Sequence, residues 1–336
     1  MANPEHLAKL KEGVEAWNQW RNKNPHIKLD LHNSNLFRFN LKNSNLERAY
    51  LKNSNLEGSN LTDANLKHVN LIGANLERAH LFDADLEHAN IVDTNLFDAK
   101  LKNANLSKAK LKGANLERAN LENANLSGAN LIGANLKHAN LSGANLSGAK
   151  FTKTLLFSAN FSGVNFSGVK FSGVNFSGVN CSGANLKNVE LNDVHFGCAY
   201  FKGANFENVN LENANLENAN LENTNLIGAN LIGANLKHAN LSRAKLNRAN
   251  LIGANLKHTN LENANLENAN LKNEFLVAAN LSGATLSGFN FSGATLSNFN
   301  LSGTILSDSN FNRVQALGTN FEGATLTGTC IEDWNI

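Results

Sequence analysis

The chain has 336 residues, 30 basic against 28 acidic, and a net charge of +2. That near balance excludes a strong overall field for nucleic acid or acidic ligands. Cys181, Cys198 and Cys330 lie far apart with no CxxC pair, which excludes a disulfide framework and a cysteine zinc site.

The opening MANPEHLAKLKEG lacks the apolar stretch of a signal peptide, and no run is long enough to span a membrane. A cytoplasmic protein without membrane partners is the expectation. Residues 3–24 read as helix. Asn3 can cap, Pro4 suits the first helical position, and Leu7, Leu10, Val14 and Trp17 recur at helical spacing. Asn24-Pro25 closes the helix. Residues 1–28 are therefore predicted to form an α-helical cap, with Leu7, Leu10, Val14, Trp17 and Trp20 covering the raw end of the column built from residue 29 onward.

From Leu31 an apolar residue falls every five positions through Leu36 and Leu41 to Ile331 and Ile336, without insertion or deletion. Between Leu111 and Lys150 the links are nearly identical: ANLER, ANLEN, ANLSG, ANLIG, ANLKH, ANLSG, ANLSG. A small residue lies two positions before each leucine, as in Ala114, Ala119 and Ala124. Helices want a period of 3.6 and strands a period of two, so five fits neither. A coil turning one corner per five residues keeps every leucine inside, which is a solenoid. One buried leucine contributes about 2 kcal/mol, whereas ordering five backbone residues costs about 5–10 kcal/mol. A lone pentad cannot fold, and stability must come from stacking coil on coil.

The A-N-L-x-x pattern over residues 29–336 resembles the pentapeptide-repeat family. The resemblance implies an all-β solenoid, a right-handed quadrilateral β-helix of four pentads per coil, in a bacterial protein. In that fold the leucine and the small residue two before it both point inward. Such a match is specific for fold and says little about function.

Phenylalanine replaces leucine at 151, 161, 166, 171, 176, 196, 201 and 206, and valine fills the small position at 164, 169, 174 and 179. The inward phase predicts a stacked aromatic core here rather than a ligand site. The pattern breaks at Thr154-Leu155, Glu274-Phe275, Thr304-Ile305 and Ala316-Leu317. Glu274 is the sharpest break, since a small inward position should not hold an unpaired carboxylate; a bulge that carries it to solvent is expected. The C-terminal stretch has no capping helix, and Trp334 and Ile336 there suggest self-association into a homodimer, as the family's dimeric members imply.

On the surface, residues twenty apart share a face. Ile72, Val92, Ile132, Ile232 and Ile252 align this way, a candidate interaction surface interrupted by Lys112, Thr152, Ser172, Asn192 and Glu212. His68 aligns with His88 and His238 with His258, but two ligands without a third make a poor metal site. Glu207, Glu212, Glu217 and Glu222 place one carboxylate on each face of one coil. His195, Cys198 and Asp193 point to different outward positions with no cleft to gather them. The sequence therefore assigns no catalytic, cofactor-binding or metal residues. The expected function is a non-catalytic scaffold for another protein. The alternative is a DNA mimic that binds DNA gyrase or topoisomerase, as some members of the resembled family do. Near-neutral charge, asparagine where mimics carry aspartate, and the absence of interrupting loops argue against it.

Overall fold

A computed structural model describes residues 2–169, 171, 173–271, 279–289, 291, 296 and 299–330. The chain divides into two units, residues 1–174 and 175–336.

The first unit opens with two helices, α1 (Pro4–Lys11) and α2 (Val14–Lys23). The Asn3 side chain accepts from the backbone N–H groups of Glu5 and His6 at 2.9 and 3.4 Å. Glu5 in the first turn and Lys9 and Lys11 in the last match the helix dipole. One helix over 3–24 was the expectation, and the structure breaks it at Gly13, whose φ of 110° is open to glycine. That corner folds α2 back so that Leu10 and Trp17 are both fully buried.

Coils begin at Asp30. Parallel bridges join residues twenty apart, from Asp30 with Tyr50 to Asn145 with Asn165. In the second unit they run from Asn175 with His195 to Asn310 with Cys330. Twenty residues per coil is four pentads. Within each pentad the leucine occupies a core slot, the residue two before it a small slot, and the residue between them an asparagine slot. The two residues after the leucine are the first and second turn positions.

The pentad around Leu76 shows why this backbone is self-sufficient. Ala74 N–H donates to the Leu71 carbonyl at 2.9 Å, closing a β-turn. Asn75 N–H donates back one coil to Ser54 at 2.9 Å, while Leu76 and Arg78 N–H donate forward to Asn95 and Phe97 at 2.7 and 2.8 Å. The fifth, Glu77 N–H, donates to the Asn75 side-chain oxygen at 3.2 Å. All five backbone donors are satisfied, as a buried chain requires.

The second turn position lies at positive φ, for example 56° at Asn53 and 57° at Asp63, while the first does not. That is the type II pattern, which excludes β-branched residues from the second position and admits them at the first. At Gly73 an added Cβ would also stand 2.6 Å from the Asn53 side-chain oxygen one coil earlier.

Core slots are filled by buried leucine and, in the aromatic belt, by Phe151, Phe161 and Phe166 in the first unit and Phe176, Phe196, Phe201 and Phe206 in the second, all fully buried. Neighbouring rings meet at 4.9–6.4 Å, edge-on or tilted. Phe171 departs from the expected pattern, since its ring is half-buried although it touches Phe151 and Phe166. Thr154 is an ordinary occupant of the small slot: it is buried and its hydroxyl donates to the Leu131 carbonyl at 2.9 Å. Thr304 is buried too, and its hydroxyl donates to the Leu301 carbonyl of its own turn at 2.7 Å. Their neighbours Leu155 and Ile305 take asparagine slots and stay in register with Asn135 and Thr285. Glu274 and Phe275 lie outside the described residues, as do Trp334 and Ile336.

Candidate interaction surface

Asparagine dominates the outward wall, and its side chains are spent on one another. On one face Asn95 donates to Asn75, Asn115 to Asn95 and Asn135 to Asn115, at 3.0, 3.1 and 3.2 Å. Each side-chain oxygen in this ladder also accepts the backbone N–H two residues on, as Asn115 does from Glu117 at 3.2 Å. Aspartate can accept but has no N–H to donate along the column, and stacked aspartates would repel. Asp85 fits because Asn105 above it donates at 3.0 Å.

The first turn position carries the variable chemistry. Charged residues there pair vertically: Lys102 with Glu122 at 3.0 Å, Lys187 with Glu207 at 2.9 Å, Lys202 with Glu222 at 3.1 Å, and Lys237 with Glu217 at 3.5 Å. Of the four glutamates spread around one coil, Glu207, Glu217 and Glu222 are thus paired by lysines of adjacent coils. Glu212 instead accepts from the Asn230 amide at 3.5 Å. Exposed pairs of this kind stabilise little.

The apolar column occupies the same position. In the first unit Ile72 and Val92 are one coil apart, joined through Gly73 N–H donating to the Val92 carbonyl at 3.1 Å. Lys112 interrupts before Ile132. In the second unit Ile232 and Ile252 are one coil apart, with Gly233 N–H donating to Ile252 at 2.9 Å. Ile72, Val92, Ile132 and Ile232 are half-buried, and Ile252 is exposed. The column therefore presents edges rather than whole side chains.

At the N-terminal end the helices hydrogen-bond to the first coil. Trp17 Nε1 donates to the Asn45 carbonyl at 2.9 Å. Trp20 packs on Trp17 and His6 at 5.4 and 5.6 Å, while Leu7 and Val14 are half-buried. Three polar residues join them that sequence reading missed. His6 Nδ1 accepts from Asp30 N–H at 3.1 Å. Asn18 donates to the Asn43 carbonyl at 2.9 Å and accepts from Asn45 N–H at 2.8 Å. Buried Arg21 donates to the Asn24, Ile27 and Glu47 carbonyls, and burial lowers its pKa against the opposing pull of Glu47. Helical spacing could have found Arg21, which lies four residues beyond Trp17 on the same face.

His68 stacks on His88 at 5.1 Å and His238 on His258 at 4.9 Å, with planes nearly parallel. Ring nitrogens lie in those planes, so stacked rings do not converge on one ion. Among the described residues no group of three metal-ligating side chains gathers, and no helix is long and apolar enough to cross a membrane. His195 fills an asparagine slot and Cys198 a second turn position, both exposed. Cys181 fills a core slot, and complete burial pushes its thiol far above the ordinary range.

Comparison with known proteins matches the chain to the family described as pentapeptide repeats, over overlapping stretches from residues 30–67 through 290–328. No curated protein matches. Among solved structures, HetL, a pentapeptide repeat protein involved in heterocyst differentiation regulation in the cyanobacterium Nostoc, is 29% identical. The match covers 73% of this chain and 90% of HetL, with a TM-score of 0.24. A pentapeptide repeat protein of the Arabidopsis thaliana thylakoid lumen is 31% identical over 31% of this chain and 70% of its own, at a TM-score of 0.23. A trypsin-treated variant of QnrB1, a plasmid-mediated fluoroquinolone resistance protein, is 17% identical over 65% and 90%, at 0.27.

Proposed function

The chain belongs to the pentapeptide-repeat family, and on that premise we propose that it is a non-catalytic scaffold whose outward side chains bind another protein. On this reading the coils are right-handed and four-sided, α1 and α2 close the first coil, and the protein works in the cytoplasm. The observation that carries the proposal is the division of labour in each pentad. Core, small and asparagine slots are consumed by the fold, leaving the turn positions to carry identity. Ile72, Val92 and Ile132 in the first unit, and Ile232 and Ile252 in the second, put apolar edges where most columns carry charge or hydroxyl. Trp334 and Ile336 provide for self-association at the C-terminal end.

Mimicry of DNA toward gyrase or topoisomerase is disfavoured because the outward ladder is asparagine and Glu122, Glu207, Glu217 and Glu222 each pair with a lysine one coil away. The test is affinity capture from a lysate, comparing wild type with an Ile72→Lys/Ile132→Lys/Ile252→Lys variant whose fold is checked by circular dichroism. A partner lost in the variant supports the scaffold. Recovery of topoisomerase subunits by both baits would replace it with mimicry.

A further inference from the structure

Acidic residues vanish from the sequence between Glu122 and Glu190, a stretch that carries Lys137, Lys150, Lys153, Lys170 and Lys187. In the first unit this acid-free stretch also holds the sharpest break in the outward wall. Leu155 stands in an asparagine slot and Phe157 in the first turn position of the same pentad, 47% and 52% exposed. Among the described residues this is the only pentad with two large apolar side chains exposed.

The break comes at a cost to the fold. Leucine can neither accept the Phe157 N–H nor donate to the Asn135 oxygen, so the ladder through Asn95 and Asn115 stops here. Phe157 is held along one edge by the His138 ring, 5.8 Å away at 90°. Lys137 occupies the same slot as Phe157 one coil earlier, and Lys153 is exposed at the corner just before Leu155. Around that corner a recess of about 380 Å³ is lined by Gly148, Ala149, Lys150, Thr152 and Gly168.

We propose that Leu155 and Phe157, flanked by Lys137 and Lys153, form a docking patch for an acidic protein segment carrying apolar side chains. The proposal rests on the scaffold reading and names the chemistry of its partner. Lys137 and Lys153 make no ion pair among the described residues and favour carboxylates, and the aromatic–aliphatic pair supplies an exposed apolar anchor. A nucleic acid would leave Leu155 without a counterpart. A bilayer would require apolar side chains that penetrate, and these stand on a hydrogen-bonded wall.

The test is fluorescence anisotropy with labelled short peptides on the full chain. One peptide alternates glutamate with leucine and phenylalanine, a second has lysine for glutamate, and a third has serine for the apolar residues. Oligothymidylate and phosphatidylserine vesicles serve as the other probes. The first peptide should bind, more weakly at high salt, and about ten-fold more weakly to both Leu155→Asn/Phe157→Ser and Lys137→Glu/Lys153→Glu. The former pair installs residues that neighbouring pentads already carry at those slots, so the fold is retained. Ile72→Lys/Ile132→Lys should bind the peptide as wild type does. Equal binding by the patch variants, preference for the basic peptide, nucleic acid or vesicles, or no peptide binding would overturn the proposal. If the peptides fail while lysate capture still yields a partner lost in the isoleucine variant, the scaffold reading stands without this patch.

Discussion

Trp17 Nε1 donates to the carbonyl of Asn45 at 2.9 Å, so a helical side chain takes the place that a preceding coil would fill. Trp17→Ala removes a fully buried ring and leaves that carbonyl unpaired. The expected loss is about 3–5 kcal/mol in urea denaturation. Trp17→Phe should lose less. In a stack where each coil contacts only its neighbours, hydrogen exchange should rise first in the coils nearest Asp30.

The asparagine ladder predicts opposite effects at two positions of one column. Asn115→Leu removes bonds to Asn95, Glu117 and Asn135 and should cost about 2 kcal/mol. Leu155→Asn extends the ladder from Asn135 and should stabilise by about 1 kcal/mol. Denaturant midpoints of the two variants, compared with wild type, check both signs.

Much of this architecture was legible in the residues, because a period of five has a single consequence for an apolar core. Leu76, Phe196 and Ala114 lie inside as their phase requires. Less legible was what asparagine does, since its hydrogen bonds run to residues twenty apart and to its own turn. The helix was visible from Leu7, Leu10, Val14 and Trp17, but not its break at Gly13. The roles of His6, Asn18 and Arg21 were hidden too, because polar residues on a helix show their partners only once the first coil is in place. Leu155 read as an error of pattern, whereas it sits in register and points outward.

Buried hydroxyls in the small slot divide into two kinds. Thr94 donates to the Leu71 carbonyl at 2.7 Å, while Ser44 Oγ is buried without a partner. Ser44→Ala, the common residue of that slot, should therefore raise stability by about 1 kcal/mol, read as a shift in thermal midpoint.

Burial keeps the Cys181 thiol protonated well beyond neutral pH, while Cys198 and Cys330 are exposed. A thiol-reactive probe at mildly alkaline pH should label Cys198 and Cys330 in the folded protein and reach Cys181 only after denaturation. Fast labelling of Cys181 in native protein would contradict its place in the core.

The central claim is that repetition carries the fold and its outward breaks carry the function. The most direct measurement is quantitative affinity capture with an Ile72→Lys/Val92→Lys/Ile132→Lys/Leu155→Asn/Phe157→Ser/Ile232→Lys/Ile252→Lys variant, which restores ordinary pentad chemistry at all seven positions. The account predicts an unchanged circular dichroism spectrum and loss of every specific partner retained by wild type. Recovery of the same partners in the same amounts would contradict it.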